Sequence, residues 1–117
     1  MSSPIDAATM ANLLEITGGD QGFVDELVDT YISEGGRIVG ELVAAAEAGS
    51  LPDLVRPAHS LKSSSLNVGA LELGELCRQL EQDALSGAVD DPVARAAEIR
   101  TAFEEARAAL LEDRAGR

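Results

Sequence analysis

The sequence has very little of what several common protein classes require. Its 117 residues contain one cysteine, one histidine and no tryptophan, and aromatic side chains make up only 3% of the chain. A lone cysteine, Cys77, cannot form an internal disulfide, which favours a reducing compartment. One histidine is too few for the usual zinc sites. With so few aromatics, the core must be built from Leu, Val, Ile and Ala, a composition that favours packed helices over a β-sandwich.

Basic residues are also scarce. Nine Lys and Arg stand against 21 Asp and Glu, which gives a net charge of −12. Such a chain is repelled by nucleic acid, and it has no electrostatic attraction to anionic membranes. No apolar run approaches the roughly 20 residues needed to span a bilayer, and the start of the chain lacks the basic and apolar regions of a signal peptide. We therefore expect a cytoplasmic protein.

Enough apolar residues are present, 45% of the chain, to fold residues 1–117 as one all-α domain. Gly, Pro, Asp and Ser clusters divide it into five helical segments with one-sided apolar faces. We expect an antiparallel four-helix bundle with a short additional N-terminal helix across one end. Gly35-Gly36 interrupts the second segment, which is read either as one long helix with a weak or bent centre or as a true break. Asp20, Ser50 and Asp90-Asp91 are candidate helix caps.

The single histidine and the single lysine, His59 and Lys62, lie three residues apart on the third segment. The helical spacing places His59 at the rim of the buried face, next to Arg56, Lys62 and Ser63. A partly neutral imidazole flanked by cations suits a phosphoryl acceptor, because phosphoryl transfer depends mainly on positioning and charge stabilisation. Leu66, on the same edge, adds an apolar spot suited to partner docking.

The second ring nitrogen of His59 needs an acceptor, and Glu81 and Gln82 on the fourth segment are the candidates. Spacing alone leaves a non-functional interpretation open. His59 would then be an ordinary residue at the edge of the buried face, Lys62 a solvated lysine, and the three serines small residues that permit close helix packing. Cys77 occupies a core position. A di-iron site is disfavoured because Arg56 stands where the Glu of a Glu-x-x-His pair should be. Nucleotide binding is not expected, because no Gly-rich phosphate loop is present.

Residues 58–70, AHSLKSSSLNVGA, resemble the signature of the histidine-containing phosphotransfer domains. The resemblance continues upstream and downstream, in Gly18-Gly19-Asp20, Phe23, Leu73, Leu76, Cys77, Leu80 and Glu81. It implies a four-helix bundle whose second helix exposes a phosphorylated histidine, here His59. Lys62 takes the place of the lysine that neutralises the phosphate, Glu81 that of a polar residue that hydrogen-bonds the histidine, and Gly69 that of the turn glycine. Ser63 departs from the pattern, since many members have glycine there.

The resemblance further implies a phosphorelay carrier that exchanges a phosphoryl group with receiver-domain aspartates or a hybrid histidine kinase. Such a carrier has no independent catalytic activity. We expect no cofactor or metal on this chain, with Mg²⁺ on the partner receiver domain, and we expect a monomer. The alternatives are a helical docking module that carries no phosphate, and a domain that a separate kinase domain phosphorylates directly.

Overall fold

Five α-helices and no strands make up the part of the chain that the structure, a computed structural model, describes: residues 3–116. They are α1 (Ala7–Ile16), α2 (Gln21–Glu47), α3 (Pro52–Asn67), α4 (Leu71–Leu85) and α5 (Pro92–Ala115). This confirms the predicted all-α fold class. No helix within residues 3–116 is both long enough and apolar enough to cross a membrane.

Aspartate caps and glycine turns set where the helices begin and end. Asp20 accepts a hydrogen bond from the backbone N–H of Phe23, and Asp91 accepts one from that of Ala94. The cap at Asp20 is thus confirmed, and of Asp90-Asp91 it is Asp91 that caps α5; each satisfies a donor that the first helical turn leaves free. The predicted cap at Ser50 is wrong, because α3 has Leu51 at its N-cap and the Ser50 hydroxyl donates to the Asp53 carboxylate instead. Proline at the first position of α5 is favourable because it has no backbone N–H, so one fewer donor is left unsatisfied in the first turn. Short loops keep consecutive helices close, which makes antiparallel packing the natural outcome.

The four longer helices form a bundle in which α2 packs on α3 and α5, and α4 packs on α3 and α5. Helices α2 and α5 are antiparallel, since Gly35 lies against Phe103 whereas Asp29, earlier in α2, pairs with Arg114, later in α5. The helices differ in length: α2 and α5 have 27 and 24 residues, whereas α3 and α4 have 16 and 15. The long pair accounts for the 43 Å extent of the molecule.

The N-terminal helix α1 packs against α2, and its start is tied to the turn between α3 and α4. The N–H of Asp6 donates to the carbonyl of Gly69 at 2.7 Å. Gly69 has φ +85°, and a Cβ there would lie only 2.9 Å from the carbonyl oxygen of Asp6. A glycine is therefore required at this turn both by its backbone conformation and by the close approach of α1.

Aliphatic side chains, with one aromatic pair, fill the bundle core. Its fully buried members include Leu42, Leu54, Leu61, Leu80, Ile99, Val24 and Cys77. The ring of Tyr31 packs on that of Phe103, with centroids 5.8 Å apart, and the Tyr31 hydroxyl shares a 2.8 Å hydrogen bond with Ser65. Burial raises the pKa of Tyr31 to about 12, so the phenol keeps its proton and satisfies Ser65, the one buried serine of residues 3–116.

Helix α2 runs without interruption through Gly35-Gly36, so the predicted alternative of a true break is wrong. The two glycines have different surroundings. Gly35 is buried, and a Cβ there would lie 2.4 Å from Cε1 and 2.9 Å from Cζ of Phe103. Gly36 is exposed and has nothing within 4 Å of an added Cβ. The absence of a side chain at Gly35 therefore makes room for the core aromatic ring of α5.

We predict opposite effects of alanine at these neighbouring positions. Gly36→Ala should stabilise the protein by up to about 1 kcal/mol through helix propensity. Gly35→Ala should destabilise it by about 1–3 kcal/mol, because the buried Phe103 ring must move. Urea denaturation of the two variants measures the difference, and equal effects on the free energy of unfolding would contradict the assigned role of Gly35.

Candidate functional site

The imidazole of His59 projects from the outer face of α3. Its side chain is 57% exposed, whereas its neighbours Ala58 and Leu61 are completely buried. The ring therefore stands at the edge of the buried stripe, where the helical spacing places it. The buried residues on either side of it hold this part of α3 against the bundle, so an exposed reactive group sits on a rigid element.

A carboxylate from the adjacent helix anchors the ring. Oε2 of Glu81, on α4, lies 2.7 Å from Nδ1 of His59. The other oxygen of the same carboxylate, Oε1, accepts a hydrogen bond from Nζ of Lys62 at 2.9 Å. The side chain of Glu81 is 14% exposed and that of Lys62 is 23% exposed, so both are more sheltered than the imidazole. One carboxylate thus positions both residues that the sequence places at the centre of the site.

The ionisation of Glu81 determines which imidazole nitrogen is free. The hydrogen bond from Lys62, with that from His59 in support, holds the pKa of the Glu81 carboxyl below its usual value. An ionised carboxylate only accepts hydrogen bonds, so Nδ1 of His59 must be the protonated nitrogen. In the neutral ring the lone pair is then on Nε2. When the ring is neutral, the site therefore presents a nucleophilic nitrogen, Nε2, on a side chain that is 57% exposed.

The remaining predicted residues are placed around this centre. Arg56 and Ser63 are exposed, one turn before and one turn after His59 on α3. Gln82 accepts a hydrogen bond from Nη1 of Arg78 at 2.9 Å. Of the two candidates for orienting the histidine, the structure therefore brings Glu81 to the ring and does not bring Gln82. The reason is the helical rotation of about 100° per residue, which carries Gln82 away from α3.

The three consecutive serines have three different environments. Ser65 is buried and hydrogen-bonded to Tyr31, in line with the prediction that small residues permit close packing. The hydroxyl of Ser64 donates to the carbonyl of Ser60, on its own helix, at 3.1 Å. Ser63 is exposed and shares the edge of α3 with His59. Ser63 is therefore the serine placed to meet a group bound to the imidazole.

An apolar groove opens beside this edge, between α1, α2 and α3. Its apolar lining residues include Leu13, Ile16, Leu27, Ile38, Leu66 and Val68. Ile16 and Leu66 are 70% and 43% exposed. The sequence analysis did not predict that α1 lines this groove. The available signal was the partly apolar face of this short helix, which ends in the apolar residue Ile16. Leu66 borders both the groove and the edge that carries His59.

Glu34 is the one charged residue among those described that line the groove, and it pairs with Arg37 at 2.8 Å. Arg37 lies outside the lining and also pairs with Glu41, so the groove carries one acidic side chain on a chain of net charge −12. Within residues 3–116, the side chains of His, Cys, Asp and Glu do not form a group of three or more that could hold a metal ion. The surface near His59 therefore combines a nucleophilic nitrogen, a cation and a largely apolar groove.

The family model of the Hpt domain matches residues 26–109 of the chain. The chain belongs to the Hpt domain family. As an Hpt domain, it is 29% identical over 97 residues to histidine-containing phosphotransfer protein 2 of Oryza sativa subsp. japonica. That match covers 81% of this chain but 65% of the rice protein, so the Hpt domain described here spans about two thirds of its relative.

A solved structure resembles this Hpt domain over its whole length. Histidine-containing phosphotransfer protein B of Pseudomonas aeruginosa PAO1 superimposes with a TM-score of 0.89 at 26% sequence identity. The match covers 100% of this chain and 99% of the other. The helical bundle is therefore shared between the two proteins in full.

We predict that Glu81 selects the imidazole tautomer. In the neutral ring, ¹⁵N chemical shifts should show the proton mostly on Nδ1. Glu81→Leu removes the acceptor and should move the proton towards Nε2, whereas Glu81→Gln, whose amide oxygen still accepts, should retain most of the Nδ1–H form. Glu72→Leu, the same change on an exposed residue of α4, is the matched control and should leave the shifts unaltered. A wild-type ring already protonated on Nε2 would refute the assignment.

Proposed function

We propose that this Hpt domain is a phosphorelay carrier in which Nε2 of His59 accepts a phosphoryl group from, and passes it to, the aspartate of a receiver domain. The observation that carries the proposal is the geometry at the ring: Nδ1 is held at 2.7 Å by an ionised carboxylate, while the side chain is 57% exposed. A histidine fixed through one nitrogen and open at the other is the arrangement that nucleophilic attack requires.

The transfer balances without any external reactant. The Nε2 lone pair attacks phosphorus, the P–O bond to the aspartyl carbonyl group breaks, and the carboxylate leaves with the bonding electrons. The ring then carries phosphorus on Nε2 and its proton on Nδ1, and the Glu81 carboxylate faces the resulting positive ring. In the return step an aspartate oxygen attacks phosphorus, the P–N bond breaks and Nε2 recovers its lone pair. Because Nδ1 keeps its proton, the leaving group is a neutral imidazole.

Cations beside the ring favour the phosphorylated form. Lys62 uses one of its three N–H donors on Glu81 and keeps two for the phosphoryl oxygens. Arg56, exposed one turn before His59, adds a second positive charge, and the hydroxyl of Ser63 can donate from the following turn. In this proposal these three side chains stabilise the bound phosphate, while Glu81 positions the ring.

The carrier supplies the nucleophile, and the partner supplies the rest of the catalytic apparatus. We propose that Mg²⁺ and the acidic pocket that holds it belong to the receiver domain or kinase, and that the carrier works in the cytoplasm as a monomer. The groove between α1, α2 and α3 is the docking surface, with Leu66 at its border. A largely apolar groove with a single acidic side chain limits the repulsion between this acidic chain and the acidic pocket of a receiver.

The first prediction of this proposal concerns phosphoryl uptake. Incubation with a phosphorylated receiver domain should label the wild-type protein with a group that is acid-labile and base-stable, as phosphohistidine is, and His59→Gln should lose all labelling while still binding the receiver. Arg100→Gln is the control, because it changes an exposed side chain of α5, the helix diagonal to α3. Labelling that persists in His59→Gln would refute His59 as the carrier. Binding without labelling of the wild-type protein would instead support a docking module that carries no phosphate.

The second prediction concerns ionic strength. Raising it from about 0.01 M to about 0.15 M shortens the Debye length from about 30 Å to about 8 Å and screens long-range repulsion. The affinity for a receiver domain should therefore hold steady or rise, because docking depends on the apolar groove. Leu66→Ala should weaken binding at both ionic strengths. A steep loss of wild-type affinity with added salt would show that charge attraction, and not apolar contact, holds the complex together.

A further inference from the structure

Leu66 packs onto a position of α4 that has no side chain. A Cβ built at Gly74 would lie 2.5 Å from Cδ2 and 2.9 Å from Cγ of Leu66. The nearest other atom of note is the carbonyl oxygen of Lys62, at the ordinary contact distance of 3.6 Å. The space above Gly74 is therefore occupied by the Leu66 side chain, and a methyl group there would collide with little else.

Apart from the contact with Leu66, glycine is an unfavourable residue at position 74. Gly74 lies in the first half of α4, a regular helix of 15 residues, where glycine costs about 1 kcal/mol relative to alanine. Its φ is not among the positive values found at the turn glycines, so the backbone itself does not require glycine. The close contact with Leu66 is the feature of the structure that an alanine would disturb.

Leu66 lies two helical turns from His59, roughly 10 Å along α3, and its side chain borders the apolar groove. On one side it touches α4 at Gly74, and on the other it faces the groove. If the side chain could not lie against α4, it would have to move away from that helix, out towards the solvent and the groove. A side chain at position 74 would therefore change how far Leu66 stands out from α4.

We propose that Gly74 is a specificity-determining residue of the docking surface, although it is buried and touches no partner: the missing side chain lets Leu66 lie back on α4 and keeps the groove open for an apolar segment of the receiver domain. This inference rests on the proposed function. It makes Leu66 and Gly74 a single unit, in which the effect of one residue on partner binding depends on the other.

A double-mutant cycle tests the coupling. The four proteins are the wild type, Gly74→Ala, Leu66→Ala and Leu66→Ala/Gly74→Ala, and the readout is the affinity for the receiver domain that exchanges phosphate fastest with the wild type. Gly74→Ala should weaken binding roughly tenfold, as expected for an overpacked contact. In the Leu66→Ala background, where the colliding atoms are gone, it should change affinity less than about twofold. Gly36→Ala, an exposed helical glycine outside the site, is the control and should bind as the wild type does.

Methyl NMR and labelling by a small phosphoryl donor are measured on the same proteins. The methyl NMR signals of Leu66 should shift in Gly74→Ala, whose folding is checked by thermal melting. The double variant lacks the Leu66 atoms that would collide with Ala at position 74, so it remains measurable if the single variant is unstable. Phosphoramidate, a small P–N phosphoryl donor, should label His59 in all four proteins because it needs no docking surface.

The outcomes separate the two claims. Equal effects of Gly74→Ala in both backgrounds, or no effect on affinity in either, would overturn the role of Gly74 while leaving the carrier function intact. Failure of phosphoramidate and of every receiver domain to label His59 would overturn the proposed function, and this inference with it.

Discussion

The functional face of this Hpt domain depends on a single contact between α3 and α4, the carboxylate of Glu81. A solvent-exposed imidazole would otherwise rotate freely and exchange its proton between two nitrogens. By taking a hydrogen bond from Nδ1 of His59 at 2.7 Å and another from Lys62 at 2.9 Å, one side chain fixes the ring, its tautomer and the neighbouring cation. The rest of the bundle holds α3 and α4 in the relative position that this contact requires.

That support comes from unequal helices. The long helices α2 and α5 form the back of the bundle, where Gly35 admits the Phe103 ring and Arg114 reaches Asp29. The short helices α3 and α4 pack on them through completely buried leucines. Because the core is dense beneath the site, small movements of α3 against α4 are resisted, and the exposed ring retains its position while a partner approaches.

The bundle and the centre of the site were predictable from the sequence, whereas the finer contacts were not. Apolar periodicity and breakers indicated five helices, and the spacing of His59 and Lys62 placed both on one edge of α3. The choice between Glu81 and Gln82 depended on the rotational register of α3 against α4, which periodicity does not resolve. The close contact of Gly35 with Phe103 joins residues far apart in the sequence, so Gly35-Gly36 looked like a weak point in the helix. The contact of Gly74 with Leu66 crosses from α3 to α4 and depends on the same rotational register.

In the proposed carrier, phosphorus is bonded to Nε2 of His59 while Nδ1 keeps its proton for Glu81. Heteronuclear NMR of the phosphorylated, ¹⁵N-labelled protein tests it most directly, through the coupling between ³¹P and the ring nitrogens. We expect phosphorus bonded to Nε2 and a protonated Nδ1 in the wild type. Phosphorus bonded to Nδ1, or to a residue other than His59, would contradict it.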